Sequence, residues 1–309
     1  MPPIANRLLR TLALLACMIG TQALQSAHAA ISVIDDSGAP VTLKHPAQRI
    51  VSLAPHATEL LYAAGGGARV VGAVTYSDYP PPARQIPRVG DSTALDLERI
   101  AALKPDLLVV WLHGNAQRQI DKLRQLGIPM FYSEPRRLTD IPGEIERLGQ
   151  LLGTSAVAAR AALQFRSRYD ALQRTYAGQA PVSVFFQVWQ NPLMTINGSQ
   201  MVSDVIRLCG GRNVFADLGA LVPTVSTEAV LAANPQAMFT ATAGATPATR
   251  PLADLAMWRR WPQLSAVAHH NLFSIDGDLI DRPGPRVLQG AQIMCRDLDR
   301  ARQRLAASR

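Results

Sequence analysis

The sequence predicts an α/β fold of two lobes, each a small, mostly parallel sheet flanked by helices, joined by one long backbone helix. Three observations predict it. Short apolar, β-rich runs alternate with helical periodicity in both halves of the chain, the pattern of βαβ units. Ser155–Tyr176 contains neither Gly nor Pro and is rich in Ala, Leu, Gln and Arg. A short motif also recurs at a constant offset of 130 residues: Leu97-Glu98-Arg99-Ile100-Ala101-Ala102-Leu103-Lys104-Pro105-Asp106 against Thr227-Glu228-Ala229-Val230-Leu231-Ala232-Ala233-Asn234-Pro235-Gln236.

The chain opens on a targeting pattern. Arg7 and Arg10 precede an apolar run, Leu12 to Gly20, and a polar stretch then ends in Ala27-His28-Ala29. This is the layout of a secretory signal peptide with a small-residue cleavage site. The apolar run is shorter than the ~20 residues that a membrane span needs. Residues 1–29 are therefore read as a signal peptide, cut after Ala29, and the remaining chain as exported to the periplasm. Two alternatives are an uncleaved anchor and a lipoprotein processed at Cys17.

In the first lobe, residues 30–152, strands are expected at Ile50–Leu53, Val70–Val74, Leu107–Trp111 and Met130–Tyr132. Helices are expected between and after them, at Ala57–Ala64, Leu97–Leu103, Ala116–Leu126 and Ile141–Leu152. Gly65-Gly66-Gly67 is read as the end of the first helix and the turn into the second strand. Residues 153–180 form the connector: as one helix, Ser155–Tyr176 would span ~33 Å, and Gly178 and Pro181 stop it. The second lobe, residues 181–309, repeats the style. Its strands fall at Val182–Val188, Ala237–Ala241 and Leu272–Ile275, and its helices at Gln200–Leu208, Glu228–Ala233 and Pro285–Ala306.

Composition narrows the function. Hydrophobic residues make up 48% and charged residues 17%, enough apolar material for a sizeable core. The net charge of +8 falls to +6 without the two leader arginines, and the basic residues are scattered. With aromatics at 6% and no dense Lys/Arg block, nucleic-acid binding has no support. Without the leader, Cys209 and Cys295 remain, and an even pair in an oxidising compartment predicts a disulfide. Its 86-residue separation gives at most ~4–5 kcal/mol by loop entropy. The alternative is two buried free thiols.

No catalytic motif emerges. There is no Gly-x-Ser-x-Gly elbow, no phosphate-binding loop ending in Gly-Lys-Ser/Thr, no His-Glu-x-x-His and no Cys-x-x-Cys. His269-His270, just before a strand, is read as a loop or capping pair. The protein is expected not to be an enzyme and to need no catalytic cofactor.

Other motifs carry more. Ile50-Val51-Ser52-Leu53-Ala54-Pro55 runs into Thr58-Glu59-Leu60; Tyr76-Ser77-Asp78-Tyr79-Pro80-Pro81 follows, then Leu103-Lys104-Pro105-Asp106-Leu107 and Gly114-Asn115-Ala116-Gln117-Arg118-Gln119, and later Leu208-Cys209-Gly210-Gly211 and Val225-Ser226-Thr227-Glu228. Together they resemble the periplasmic cobalamin-binding proteins of cobalamin ABC importers. These belong to the helical-backbone class of binding proteins, which also serves haem and ferric siderophores. The resemblance runs through nearly all of the chain beyond the leader. The Tyr-Ser-Asp-Tyr-Pro-Pro and Gly-Asn-Ala-x-Arg-Gln stretches look specific to the cobalamin branch.

The resemblance implies capture of cobalamin or a related corrinoid by a monomer. It also implies little hinge motion, because a helix resists bending, and delivery to a permease dimer with its ATPase subunits. Tyr76 and Trp111 fall on ligand-contacting aromatics of the family, with core packing as the alternative. A tyrosine offers a flat apolar face and one hydroxyl, suited to a corrin edged with amides. Asp278-Leu279-Ile280-Asp281-Arg282 falls on a ligand loop of the family, with Asp278 and Arg282 matching by identity. Its alternative is a surface turn before Pro283. Glu98 and Glu228 match docking glutamates that pair with permease arginines; the alternative is simple complementing of helix N-termini. Cys209 and Cys295 match the family's disulfide positions. Ser92 and Val222 stand where the family has tryptophans. His113, two residues beyond Trp111, is a candidate axial ligand to a metal centre, with a solvated loop histidine as the alternative. Haem or ferric-siderophore carriage is the competing reading within the class, and a secreted α/β enzyme is the competing reading outside it.

Overall fold

The structure is a computed structural model and describes residues 30–242 and 255–307. The leader at 1–29, with Cys17 and His28, lies outside the described residues. After an antiparallel hairpin of β1 (Ile31–Ile34) and β2 (Pro40–Leu43), the first lobe contains β3 (Ile50–Ser52), α1 (Pro55–Ala63), β4 (Val70–Ala73), α2 (Leu97–Ala102), β5 (Leu107–Trp111), α3 (Gln117–Arg124), β6 (Met130–Ser133) and α4 (Asp140–Leu152). Then come α5 (Ser155–Tyr176), β7 (Val182–Gln187), α6 (Met201–Leu208), β8 (Gly211–Asn213), α7 (Thr227–Ala233), β9 (Ala237–Thr242), α8 (Ser265–Ala268), β10 (Leu272–Asp276), α9 (Gly277–Ile280) and α10 (Val287–Ala307).

Two four-stranded sheets are entirely parallel, ordered β4-β3-β5-β6 and β8-β7-β9-β10. Taking each lobe's strands in chain order, both run second, first, third, fourth. The 130-residue repeat is therefore a repeat of architecture, and it extends to small details. Asp96 caps α2 by accepting from the Arg99 N–H at 2.9 Å, and Ser226 caps α7 by accepting from the Ala229 N–H at 3.1 Å. Ile100 and Val230 are each buried. Lys104 and Asn234 both take left-handed φ values, 49° and 40°, before their prolines. The Asp106 side chain accepts from the Gln48 and Arg49 N–H groups, and the Gln236 side chain accepts from the Ser183 N–H, so each pins its strand's start to the neighbouring strand.

Helix α5 has the predicted bounds. Ala158, Ala162, Phe165 and Tyr176 are its buried residues, spread along its length. Its first turns pack on α4, where a Cβ on Gly149 would sit 2.2 Å from the Ala158 Cβ, so the two helices touch backbone to side chain. Its later turns meet α6 and α10. Cys209, which caps α6, is bonded to Cys295 of α10, with Cα atoms 4.6 Å apart and both residues fully buried. Among the described residues no helix is long and apolar enough to cross a membrane.

Three features go beyond the sequence expectations. The β1–β2 hairpin is turned by Asp35, whose Oδ1 accepts from Ser37 N, Ser37 Oγ and Ala39 N. Strand β8 is three residues long and carries Arg212, so it offers no apolar run. Helices α8 and α9 are single turns; His269 caps α8 and His270 follows it at φ 57°, the capping role expected of the pair.

Inside α4, Glu144 is fully buried beside Ser133 and Asp36, and no hydrogen bond of good geometry reaches either carboxyl oxygen. Burial, and then the negative charge of Asp36, push its carboxyl well above the usual range, which favours the neutral acid. Its folded pKa exceeds its unfolded one, so the cost is absent below the ordinary value of 4.5 and grows as pH rises through that value. The rise is about 1.4 kcal/mol per pH unit until the folded group titrates. Glu144→Gln is therefore expected to raise Tm at pH 7, with the gain vanishing at pH 4. Thermal melts of both proteins at the two pH values check it; a gain that is equal at both would contradict a protonated Glu144.

Candidate functional site

Parallel α/β sheets place ligands beyond the carboxyl ends of their strands, and here both sheets send such loops to one cleft. From the first lobe come Trp111 at the end of β5, then His113, and Glu134-Pro135-Arg136 after β6. From the second come Ser199 and Gln200 with Met201, then Leu221 and Val222, then Asp281 and Pro283 after β10 and α9. The cleft encloses about 260 Å³. A larger groove of about 420 Å³ lies between α5 and α10, lined by Arg168, Tyr176, Gln289 and Arg296. It gathers no strand-end loops, and the inter-lobe cleft is the better candidate site.

Trp111 is seated from three sides. The Asn115 Oδ1 accepts from the Trp111 N–H at 2.7 Å, while its Nδ2 donates to Leu53 O and Ser92 O. Gly114 lies flat against the indole: a Cβ there would fall 1.9 Å from Trp111 Cδ2 and 2.0 Å from Cε3. His56, buried in α1, meets the indole edge-on, with centroids 5.4 Å apart at 80°, and its Nε2 lies 3.1 Å from Ser133 Oγ. Burial, and then the charge of Arg282, push the His56 imidazole down to about 3, so it is a neutral ring at any physiological pH. The Gly-Asn motif thus has a mechanical purpose: it holds one half-exposed indole at the cleft wall.

Beside the cleft, five charged groups meet across the lobes. The Arg286 guanidinium donates to both oxygens of Glu59, Nε at 3.0 Å and Nη2 at 2.7 Å. Arg282 Nη1 donates to Asp78 at 2.8 Å and lies 3.6 Å from Glu59, and its Nη2 pairs with Asp278 at 2.6 Å. Burial raises the Glu59 carboxyl although both arginines pull it down. For Asp78, burial is opposed and outweighed by Arg282, which holds it below the usual range. Asp278 is raised by burial against the pull of Arg282. Asp281 faces the cleft with its side chain exposed, and crowding by the surrounding protein, and then the negative charge of Asp278, raise its carboxyl above the usual range.

The structure brings Trp111, Asp281 and His113 to the cleft directly. Tyr76 is not among the residues that line the cleft: it takes φ 68°, is 51% exposed, and precedes by two residues the Asp78 that binds Arg282. A bulky residue held in the left-handed region with its ring in water costs stability that packing does not return. Arg282 is committed to both Asp278 and Asp78. Leu279 is half-buried, and Ile280 is fully buried in the core, so its side chain anchors the loop from beneath. His113 is exposed, with Nδ1 3.6 Å from Glu134 Oε2. Among the described residues no group of three or more His, Cys, Asp or Glu is placed to hold a metal ion. Glu98 and Glu228 stand in the first turns of α2 and α7, both exposed, and neither is among the residues that line the cleft.

Sequence reasoning gave no role to Glu59, Asp78, Gly114 or Arg286, although the first three lie inside motifs it singled out. Glu59 offered the clearest signal, a charged residue on the apolar face of α1 between Thr58 and Leu60.

Two α/β lobes of identical topology, a backbone helix and a cleft between the lobes define a substrate-binding protein. The family comparison agrees: residues 50–279 match the periplasmic binding protein family, and the chain belongs to it. The vitamin B12-binding protein of Vibrio cholerae serotype O1 is 40% identical over 251 residues, 81% of this chain and 88% of that protein. That of Yersinia pestis is 38% identical over 254 residues, covering 82% and 86%. The crystal structure of the periplasmic vitamin B12 binding protein BtuF of Vibrio cholerae superposes with a TM-score of 0.75 at 40% identity, covering 83% of this chain and 98% of that one. The periplasmic heme-binding protein RhuT from Roseiflexus superposes at 0.71 with 23% identity, covering 82% and 99%, which speaks for the fold alone.

Proposed function

We propose that the protein captures cobalamin, or a close corrinoid relative, in the inter-lobe cleft and delivers it to an ABC importer. The observation that carries this reading is Trp111, wedged by Gly114 and His56 so that an indole face is offered at the cleft wall. Leu221, Val222 and Pro283 form the opposing apolar surface, with Asp281 and Gln200 as hydrogen-bonding groups among them. That mixture suits a flat macrocycle whose rim carries amides. The enclosed space is smaller than a corrinoid, so the ligand rests across the mouth of the cleft and reaches Tyr76 and the Asp278–Arg282 loop. The similarity to vitamin B12-binding proteins supports the ligand class.

Residues 30–152 and 181–309 act as the two lobes and 153–180 as the connector. Residues 1–29 act as a signal peptide, cut after Ala29, that delivers the chain to the periplasm. The protein works as a monomer and performs no bond-breaking chemistry. Glu98 and Glu228, placed alike on the two lobes, present like charges to a twofold permease dimer whose ATPase subunits drive release. Expression of the chain in a bacterium that lacks its own cobalamin-binding protein and needs trace cyanocobalamin tests this. Restored growth is expected; unchanged growth despite periplasmic accumulation of folded protein would oppose it.

A further inference from the structure

We infer that Glu59 is a positioning residue: through Arg286 and Arg282 it clamps the second lobe's ligand loop onto the first lobe before any ligand arrives. This rests on the cleft reading above and deepens it. Arg286 inserts into a socket made by the first lobe. The Glu59 carboxylate grips its guanidinium at two points, and the Tyr79 ring covers it with the guanidinium carbon 4.0 Å from the ring centroid. Gly284 allows the approach, since a Cβ there would lie 3.3 Å from Glu59 Oε2 and 3.5 Å from the Glu59 Cβ. Arg282 adds a second tie, to Asp78 of the first lobe, while Asp278 holds its other nitrogen.

The side chains of Glu59, Arg282 and Arg286 are only 2%, 12% and 13% exposed. A surface ion pair contributes little and is screened by salt, but a shielded, two-point pair fixes geometry. Glu59 lies on α1, the helix that follows β3, and Arg286 lies just ahead of α10, which carries the disulfide to α6. The clamp therefore joins rigid elements of both lobes and sets the spacing of Trp111 from Asp281. Helix α5 restrains the lobes on one side, and this network restrains them beside the ligand.

The test uses the chain from Ala30 onward with spin labels at Leu126→Cys and Leu218→Cys, exposed positions on the first and second lobes. Inter-label distances are measured by pulsed electron resonance with and without cyanocobalamin. Without substitutions in the network, one narrow distribution is expected in both states. Glu59→Gln with Arg286→Gln removes both charges together, so neither is left stranded. A distribution about twice as wide is expected without ligand, narrowing when cyanocobalamin binds. If the competent spacing falls to about a tenth of the population, apparent affinity falls about tenfold, through slower association. A narrow ligand-free distribution in this double variant would overturn the clamp, since α5 alone would then hold the lobes. Should circular dichroism show that the variant does not fold, Asp78→Asn decides instead: a wider distribution supports the clamp and an unchanged one overturns it. Failure of the unsubstituted protein to bind cyanocobalamin would remove the ligand assignment, while the ligand-free widths still decide the clamp.

Discussion

Replacing Glu98 and Glu228 together by arginine is expected to abolish cobalamin uptake while leaving ligand affinity unchanged. Both side chains are exposed at the second position of short helices, one per lobe, each capped by a side-chain oxygen at its N-cap. Neither lines the cleft. If they meet permease arginines, reversal turns two attractive contacts into two repulsive ones, and like charges across an interface cost several kcal/mol. Uptake should fall by roughly a hundredfold or more for the pair, with each single change giving a partial loss. Arginine in a first helical turn also opposes the helix dipole, so a small drop in Tm is expected as well. For Glu228 the loss has a local component, because hydrogen bonds from its own N–H and from Ser226 hold its carboxyl below the usual range. Radiolabelled cobalamin uptake, measured beside titration of the purified variant, separates transport from binding. Loss of binding in the double variant would remove the docking assignment.

The second large effect is expected at a residue without a side chain. Gly114→Val places a branched carbon where the Trp111 indole now lies, because even a single Cβ would fall 1.9 Å from the ring. The indole must swing away, and the cleft loses its flat wall without losing its tryptophan. A central aromatic contact contributes about 2–4 kcal/mol, so affinity should fall by ~30- to 1000-fold. Trp111→Ala should cost a similar amount, and the two changes together little more than either, since both remove one contact. The β5–β6 pairing beneath them stays intact, so the melting temperature should move only slightly. Titrations of the three variants check this; wild-type affinity in Gly114→Val would mean that the indole is no ligand surface.

The architecture was legible because its signals are local and repeated. The long helix shows in a run without Gly or Pro whose bounds, Ser155 and Tyr176, the structure keeps. The repeated lobes show in one motif at one offset, because a capped helix, a left-handed residue and a proline recur as a unit ahead of β5 and β9. The hairpin and β8 were not legible, as strands of four and three residues with few buried positions leave too short a pattern. Trp111 and Asp281, which line the cleft, were singled out by family resemblance, and Trp111 also by its strand-end position. The charge network was not found, because Glu59, Asp78 and Arg286 are separated by up to 227 residues, and pairing at that range is set by how the lobes meet. Ile280 shows the converse limit: a ligand-loop motif carries its anchoring residue with it, and only packing tells that buried side chain from its exposed neighbour Asp281.

Isothermal titration of the chain from Ala30 onward with cyanocobalamin, and with haemin in parallel, tests the central claim most directly. Tight one-to-one binding of cyanocobalamin and no binding of haemin are predicted. Haemin binding without cyanocobalamin binding would contradict it and turn attention to Tyr76 and His113 as axial ligands; binding of neither would mean that the cleft between Trp111 and Asp281 receives a different ligand.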